Sequence, residues 1–276
     1  MEDKTDQQRR RVILAGLAAA PLVSLSAVAT ARKPNTPASR MLELEARPES
    51  IAIDAARTAV IVIDMQNDFG SKGGMFDLAG IDITGIREAI APTANVLVAA
   101  RRASIPIIYL KMAFRSDLSD LGAPDSPNRA RHLQMRVGRN IRAPDGRDSR
   151  ILIRDTWNTD ILTELRSEPG DIVMYKHRFS GFFETALDST LKRLGVKYLV
   201  VTGCTTSVCV EATVRDAMYR DYSCVLLTDC MSQPALPNSK AGACHDSSLV
   251  VTEAFFGWTL RSERFNAALS EVDKLA

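Results

Sequence analysis

At 276 residues, with 46% apolar and 25% charged side chains, the chain is long enough to bury a sizeable core in one large α/β domain or two small ones. Its formal charge is +2, and beyond residue 31 the basic and acidic residues nearly balance. A near-neutral body of mixed sign excludes the electrostatic footprint that nucleic acid or an anionic membrane surface requires.

The first element is Arg9, Arg10 and Arg11, followed by an uncharged stretch over 12–31 that is interrupted by Gly16, Pro21, Ser24 and Ser26 and ends in small residues. This is the pattern of an export signal. Arg10-Arg11-Val12-Ile13-Leu14 resembles a twin-arginine core, although Arg9 stands where a small polar residue is usual. Residues 1–31 are therefore expected to act as a twin-arginine signal, leaving a periplasmic protein without a stable membrane span. The alternatives are an uncleaved anchor, or a misplaced start and a cytoplasmic protein. Residues 32–57 are polar, contain prolines and lack a period, so they read as a linker leading into a domain over 58–276.

Within that domain, TAVIVIDM (58–65), IPIIYLKM (105–112), DIVMYKH (171–177), KYLVVTG (197–203) and YSCVLLTD (222–229) are short, continuously apolar runs. Such runs mark parallel strands buried on both faces. Helical periodicity falls between and after them, at 85–103, 160–166, 185–195, 206–221 and 245–257. The alternation predicts a three-layer αβα domain with an open, mainly parallel, twisted sheet. One long segment, 113–155, is rich in Asp, Arg, Gly and Pro, and is expected to be an irregular active-site cover.

Ligands of open α/β sheets bind beyond the carboxyl ends of the strands. Asp64 closes the first run, Lys176 closes the third, and Cys209 falls in the first helical turn after the fourth. Each has an ordinary structural explanation: a turn aspartate, a snorkelling lysine, a small buried thiol. Together they place a carboxylate, an ammonium and a thiol at one sheet edge, with a helix start and a cation favouring thiolate. A carboxylate there could take the thiol proton and return it to a leaving nitrogen. Five cysteines are too few for a disulfide scaffold, and Cys224 and Cys230, on or beside one extended run, are too far apart to bridge. The pair Cys204 and Cys209 lacks the two further soft ligands a zinc site needs. QNDFGSKGG after the first strand is not a dinucleotide-binding turn.

VIVIDMQNDF, the lysine of MYKHRFSGFFET and VTGCTTSVCV, in that order and spacing, resemble the isochorismatase-like cysteine hydrolases over about residues 58–262. The resemblance implies an Asp64-Lys176-Cys209 triad and a non-proline cis peptide at Cys204-Thr205. That turn would aim the N–H groups of Thr205 and Cys209 at a developing oxyanion, with Cys209 the nucleophile and the Cys204 side chain doing no chemistry. The Asp-x-His pattern of metal-dependent nicotinamidases is missing, so no metal and no cofactor are expected. Vinyl-ether-cleaving isochorismatases lack the cysteine, which points instead to an amide. GAPDSPN, DTWNTDILTEL and FFGW look like the ureidoacrylate amidohydrolase branch. The implied activity is C–N cleavage of a small ureido or carbamoyl substrate through a carbamoyl thioester. Biuret, an N-carbamoyl amino acid or another small amide is the alternative substrate, and a catalytically silent binding protein is the rival class. Phe179 and Gln233 are expected to line the pocket, Gln233 as a donor to a substrate carbonyl or carboxylate. A homo-oligomer is expected.

Overall fold

A computed structural model describes residues 40–275, with side chains to residue 271. Residues 1–31, on which the expected export signal falls, and residues 32–39 lie outside the described residues. Among the described residues no helix is long and apolar enough to cross a membrane.

The described chain opens with an antiparallel pair, β1 (Met41–Leu44) and β2 (Ile51–Asp54), in a stretch whose sequence reads as linker. The reason is a short alternation: Leu42, Leu44 and Ile53 point into the core while Met41 and Glu43 stay outside. The main sheet then begins with β3 (Thr58–Ile63). Two single-turn helices follow, α1 (Asn67–Gly70) and α2 (Met75–Leu78), and then α3 (Thr84–Glu88), α4 (Ile90–Arg102) and β4 (Ile107–Met112). The helix expected over 85–103 is thus two pieces meeting at Ala89.

Next come α5 (Pro127–Gln134), a small antiparallel pair β5 (Asn140–Arg142) and β6 (Asp148–Arg150), and β7 (Ile172–Lys176). The helix expected at 160–166 is only two 3-10 turns, Trp157–Thr159 and Thr163–Leu165. The chain continues through α6 (Leu187–Arg193), β8 (Tyr198–Cys204), α7 (Glu211–Met218), β9 (Ser223–Ser232), α8 (Ala243–Phe255), β10 (Gly257–Leu260) and α9 (Ser262–Leu275). The sequence reading ran α8 on through Gly257 and missed β10, which is four residues long.

The six main strands are all parallel, in the order β10-β9-β8-β3-β4-β7. The chain builds outward from β3 through β4 to β7, then returns to the other side of β3 with β8. The reversal puts the topological switch point between β3 and β8, where the outgoing loops part and leave a crevice. Both faces of β3 are buried. Val60 and Val62 pack under α4, α9 and the β1–β2 pair, whereas Ala59, Ile61 and Ile63 pack under α6 and α7. This two-sided burial is why the strand reads as an unbroken apolar run.

Candidate active site

The polar run after β3 is fixed residue by residue. Asp64 takes a left-handed backbone, φ 54°, immediately after the strand, while its N–H still donates to Leu110 O at 2.8 Å. That conformation is uncommon for residues with a Cβ and aspartate is among those that tolerate it. Gln66, fully buried, clamps the end of β4: its Nε2 donates to Met112 O (2.9 Å) and its Oε1 accepts from Met112 N (2.8 Å). Asn67 donates to Trp157 O, and Asp68 accepts from Met75 N, Leu152 N and Asn158 Nδ2. Burial pushes Asp68 up to about 7 against those three hydrogen bonds. These residues, which the sequence reading passed over, tie the strand end to the segment that covers it. The visible signal was a set of uncharged and acidic polar groups directly after a buried strand.

At the neighbouring strand end, Gly203 has φ 120°, and a Cβ there would lie 2.0 Å from Ile63 O. Only glycine lets β8 approach β3 this closely. The Cys204–Thr205 peptide is cis. Thr206–Val210 then forms a π-helical turn, with Val208 N and Val210 N both donating to Thr205 O, before α7 begins. The expected first helical turn is therefore wider than an α-turn, a form often found at functional sites. Cys209 lies on it, 7% exposed. Cys204 points elsewhere, its thiol donating to Asp64 O at 3.3 Å in the core.

The π-turn is braced from the far side. Gln233 Oε1 accepts from Ser207 N (3.2 Å) and Ser207 Oγ (2.8 Å), and its Nε2 donates to Pro234 O. Thr206 Oγ1 and His245 Nδ1 are hydrogen-bonded at 2.9 Å. Gln233 is thus committed at its oxygen to the turn, and its Nε2, the donor the sequence offered to a substrate, points one hydrogen at Pro234 O.

Lys176, the last residue of β7, is fully buried, and its Nζ lies 2.8 Å from Asp64 Oδ2, 3.3 Å from Arg178 O and 3.6 Å from Met112 Sδ. Neither Asp64 oxygen carries an aligned hydrogen bond, although the Cys209 thiol is within reach of both the carboxylate and the ammonium. Burial holds Asp64 above the ordinary carboxylate range, with Lys176 pulling it back. Burial alone would lower Lys176, but the Asp64 carboxylate and Cys209 outweigh it and keep the ammonium charged. Burial pushes the Cys209 thiol up to about 12, opposed by Lys176 and reinforced by Asp64. Burial thus works against negative charge on both Asp64 and Cys209, while Lys176 works for it on each. The cation expected from sequence to favour thiolate is in place as Lys176, and it is opposed by desolvation and by the adjacent Asp64.

The 113–155 segment is less irregular than its composition suggests, since it carries α5 and the β5–β6 pair. His132 from it meets both Phe114 and Phe179, the latter 40% exposed. The three histidines stand apart: His132 in this cover, His177 paired with Glu184, and His245 on Thr206.

A doubly wound parallel sheet with a buried carboxylate, ammonium and thiol at its switch point defines a class of α/β protein, and the comparisons give that class its family. The Isochorismatase domain matches residues 58–264, and the chain belongs to that family. It is 40% identical over 227 residues to a ureidoacrylate amidohydrolase RutB of Methylorubrum extorquens, covering 82% of this chain and 88% of that one. Against a protein of the same name from Variovorax paradoxus it is 37% identical over 244 residues, covering 88% and 93%. A cysteine hydrolase from Pseudomonas syringae pv. phaseolicola 1448A superimposes with a TM-score of 0.69 at 28% identity, covering 80% and 95%. An N-carbamoylsarcosine amidase from Thermoplasma acidophilum shares the fold, with a TM-score of 0.54 at 23% identity over 75% and 97%.

Proposed function

We propose that this protein is a cysteine amidohydrolase that cleaves the C–N bond of a small ureido or carbamoyl compound, with Cys209 as nucleophile, Asp64 as proton carrier and Lys176 as electrostatic anchor. The observation that carries the reading is the Lys176–Asp64 contact of 2.8 Å with the Cys209 thiol in reach of both, all three buried. Relatives named ureidoacrylate amidohydrolase support the substrate class.

The chemistry follows from the charge balance of the cluster. Transfer of the Cys209 proton to Asp64 leaves thiolate, ammonium and neutral acid, so the net charge is unchanged and the fixed Lys176 ammonium stabilises whichever partner is negative. The sulfur attacks the carbonyl carbon, and the oxyanion meets the N–H groups of Thr205 and Cys209. As the C–N bond breaks, Asp64 returns the proton to the leaving nitrogen, and a carbamoyl thioester remains. Water gives a proton to Asp64, adds to the thioester carbon and expels the sulfur. Asp64 reprotonates it, and carbamic acid departs and loses a proton to solvent as carbamate.

The test is release of amine and ammonia from ureidoacrylate, biuret, N-carbamoylsarcosine and simple amides, with trapping of an acylated Cys209 by rapid quench and mass spectrometry. Turnover without label on Cys209 would end the proposal. Residues 1–31 are proposed to deliver this activity outside the cytoplasm.

A further inference from the structure

His132, on α5, is 4% exposed, and its ring lies between Phe114 (centroids 5.0 Å, planes at 73°) and Phe179 (5.5 Å, 31°). Its Nδ1 is 2.6 Å from the backbone oxygen of Asn128. A carbonyl can only accept, so Nδ1 carries the proton and Nε2 presents a lone pair. Burial, with Lys176 and Arg178 nearby, holds the ring below its ordinary basicity and so neutral, against the pull of the Asn128 carbonyl. No described residue donates to Nε2.

The two rings that flank it come from segments that also supply the candidate site, and Lys176 is near enough to depress its basicity. Phe114 is two residues beyond Met112, whose sulfur touches the Lys176 ammonium, and Phe179 is three residues beyond Lys176. An acceptor on a ring held between two apolar rings, with an ammonium and a guanidinium close by, suits a neutral donor and repels a cationic one. A carbonyl presented to Cys209 has its leaving nitrogen on one side and its acyl substituent on the other. In a ureido compound that substituent is –NH2, and in an N-acetyl compound it is a methyl group that donates nothing.

We propose that His132 Nε2 accepts a hydrogen bond from the –NH2 of a bound carbamoyl group and thereby selects ureido compounds over N-acyl compounds. The proposal rests on the reading of Cys209 as the attacking group. A site built to hydrogen-bond a substrate group discriminates strongly against an analogue that lacks it, because its own polar atom is then left unpaired.

The test uses 3-ureidopropanoate and N-acetyl-β-alanine, which differ only in –NH2 against –CH3. His132→Leu should lower kcat/KM for the ureido acid roughly 10- to 100-fold and leave the acetyl compound within about twofold, and His132→Gln, which keeps an acceptor, should recover part of the loss. In the Cys209→Ala protein, the 15N resonance of His132 Nε2 should move when 3-ureidopropanoate is added and stay when N-acetyl-β-alanine is added. Equal losses on both compounds, or an Nε2 resonance unmoved by saturating ureido acid, overturn the proposal. Wild-type protein that turns over neither compound, nor ureidoacrylate, biuret, N-carbamoylsarcosine or a simple amide, instead refutes the amidohydrolase reading, and the Nε2 titration then decides the role of His132 alone.

Discussion

Lys176 Nζ stands 2.8 Å from Asp64 Oδ2 although β4 lies between the strands that carry them. The pair closes over the end of β4, where Met112 supplies its sulfur to the ammonium and its backbone to Gln66. Both charges are out of water, so each depends on the other. Lys176→Met should strand a buried carboxylate and cost ~3–5 kcal/mol. The Asp64→Asn/Lys176→Met double variant should recover most of that stability and none of the turnover. Urea denaturation of the single and double variants, with activity measured on each, checks both halves. A double variant no more stable than the worse single one would contradict the coupling.

Cys209→Ala should abolish turnover and leave the urea midpoint close to wild type. Cys204→Ala loses a hydrogen bond to Asp64 O and should cost ~1 kcal/mol while keeping much of the activity. An essential Cys204 with a dispensable Cys209 would reverse the assignment of the nucleophile.

Asp68 gives a pH signature. Its carboxyl is raised by burial to about 7 in the folded protein from an ordinary value of 3.8. The folded state therefore holds the proton more tightly than the unfolded chain does. This contribution is fully present below the ordinary value and is lost as pH rises toward 7. Asp68→Asn cannot titrate, so the stability gap between wild type and variant should narrow between pH 5 and pH 8. Urea midpoints at the two values measure it, and a gap that widens with pH would show that the carboxylate form is the stabilised one.

Gln233 holds Ser207 through its side-chain oxygen. If its task is to keep the π-turn in place, Gln233→Ala should lower kcat by about tenfold, since ~1.4 kcal/mol of lost positioning is one decade, with KM little changed. A large rise in KM at unchanged kcat would return Gln233 to the direct substrate contact expected from sequence.

The export proposal has its own experiment. A mature chain starting near residue 32 should appear in the periplasmic fraction and vanish from it when Arg10 and Arg11 become Lys. Full-length protein in the cytoplasm with residues 1–31 intact would count against it.

The main sheet was legible because strands buried on both faces must be apolar throughout, as β3 and β8 are, and the helices between them keep their period. Asp64, Lys176 and Cys209 were legible as strand-end and helix-start residues, and their motif placed them in one family before any coordinate was known. Short elements were not legible: β10 spans four residues, and the β1–β2 pair has too few alternating positions to stand out from a linker. The 3-10 turns at 157–165 share the local apolar spacing of a helix but are held by contacts such as Asn67 with Trp157 O, which no local window contains.

What the sequence by itself determined was the periodicity of burial and the kinds of reactive group available. Only the tertiary structure decided the burial and spacing of the cluster, the bracing of the π-turn by Gln233 and the unpartnered Nε2 of His132. Those depend on desolvation and on distances between segments remote in the chain. A pKa or a hydrogen bond is set by what surrounds a group in space, and the linear order of residues does not carry that information.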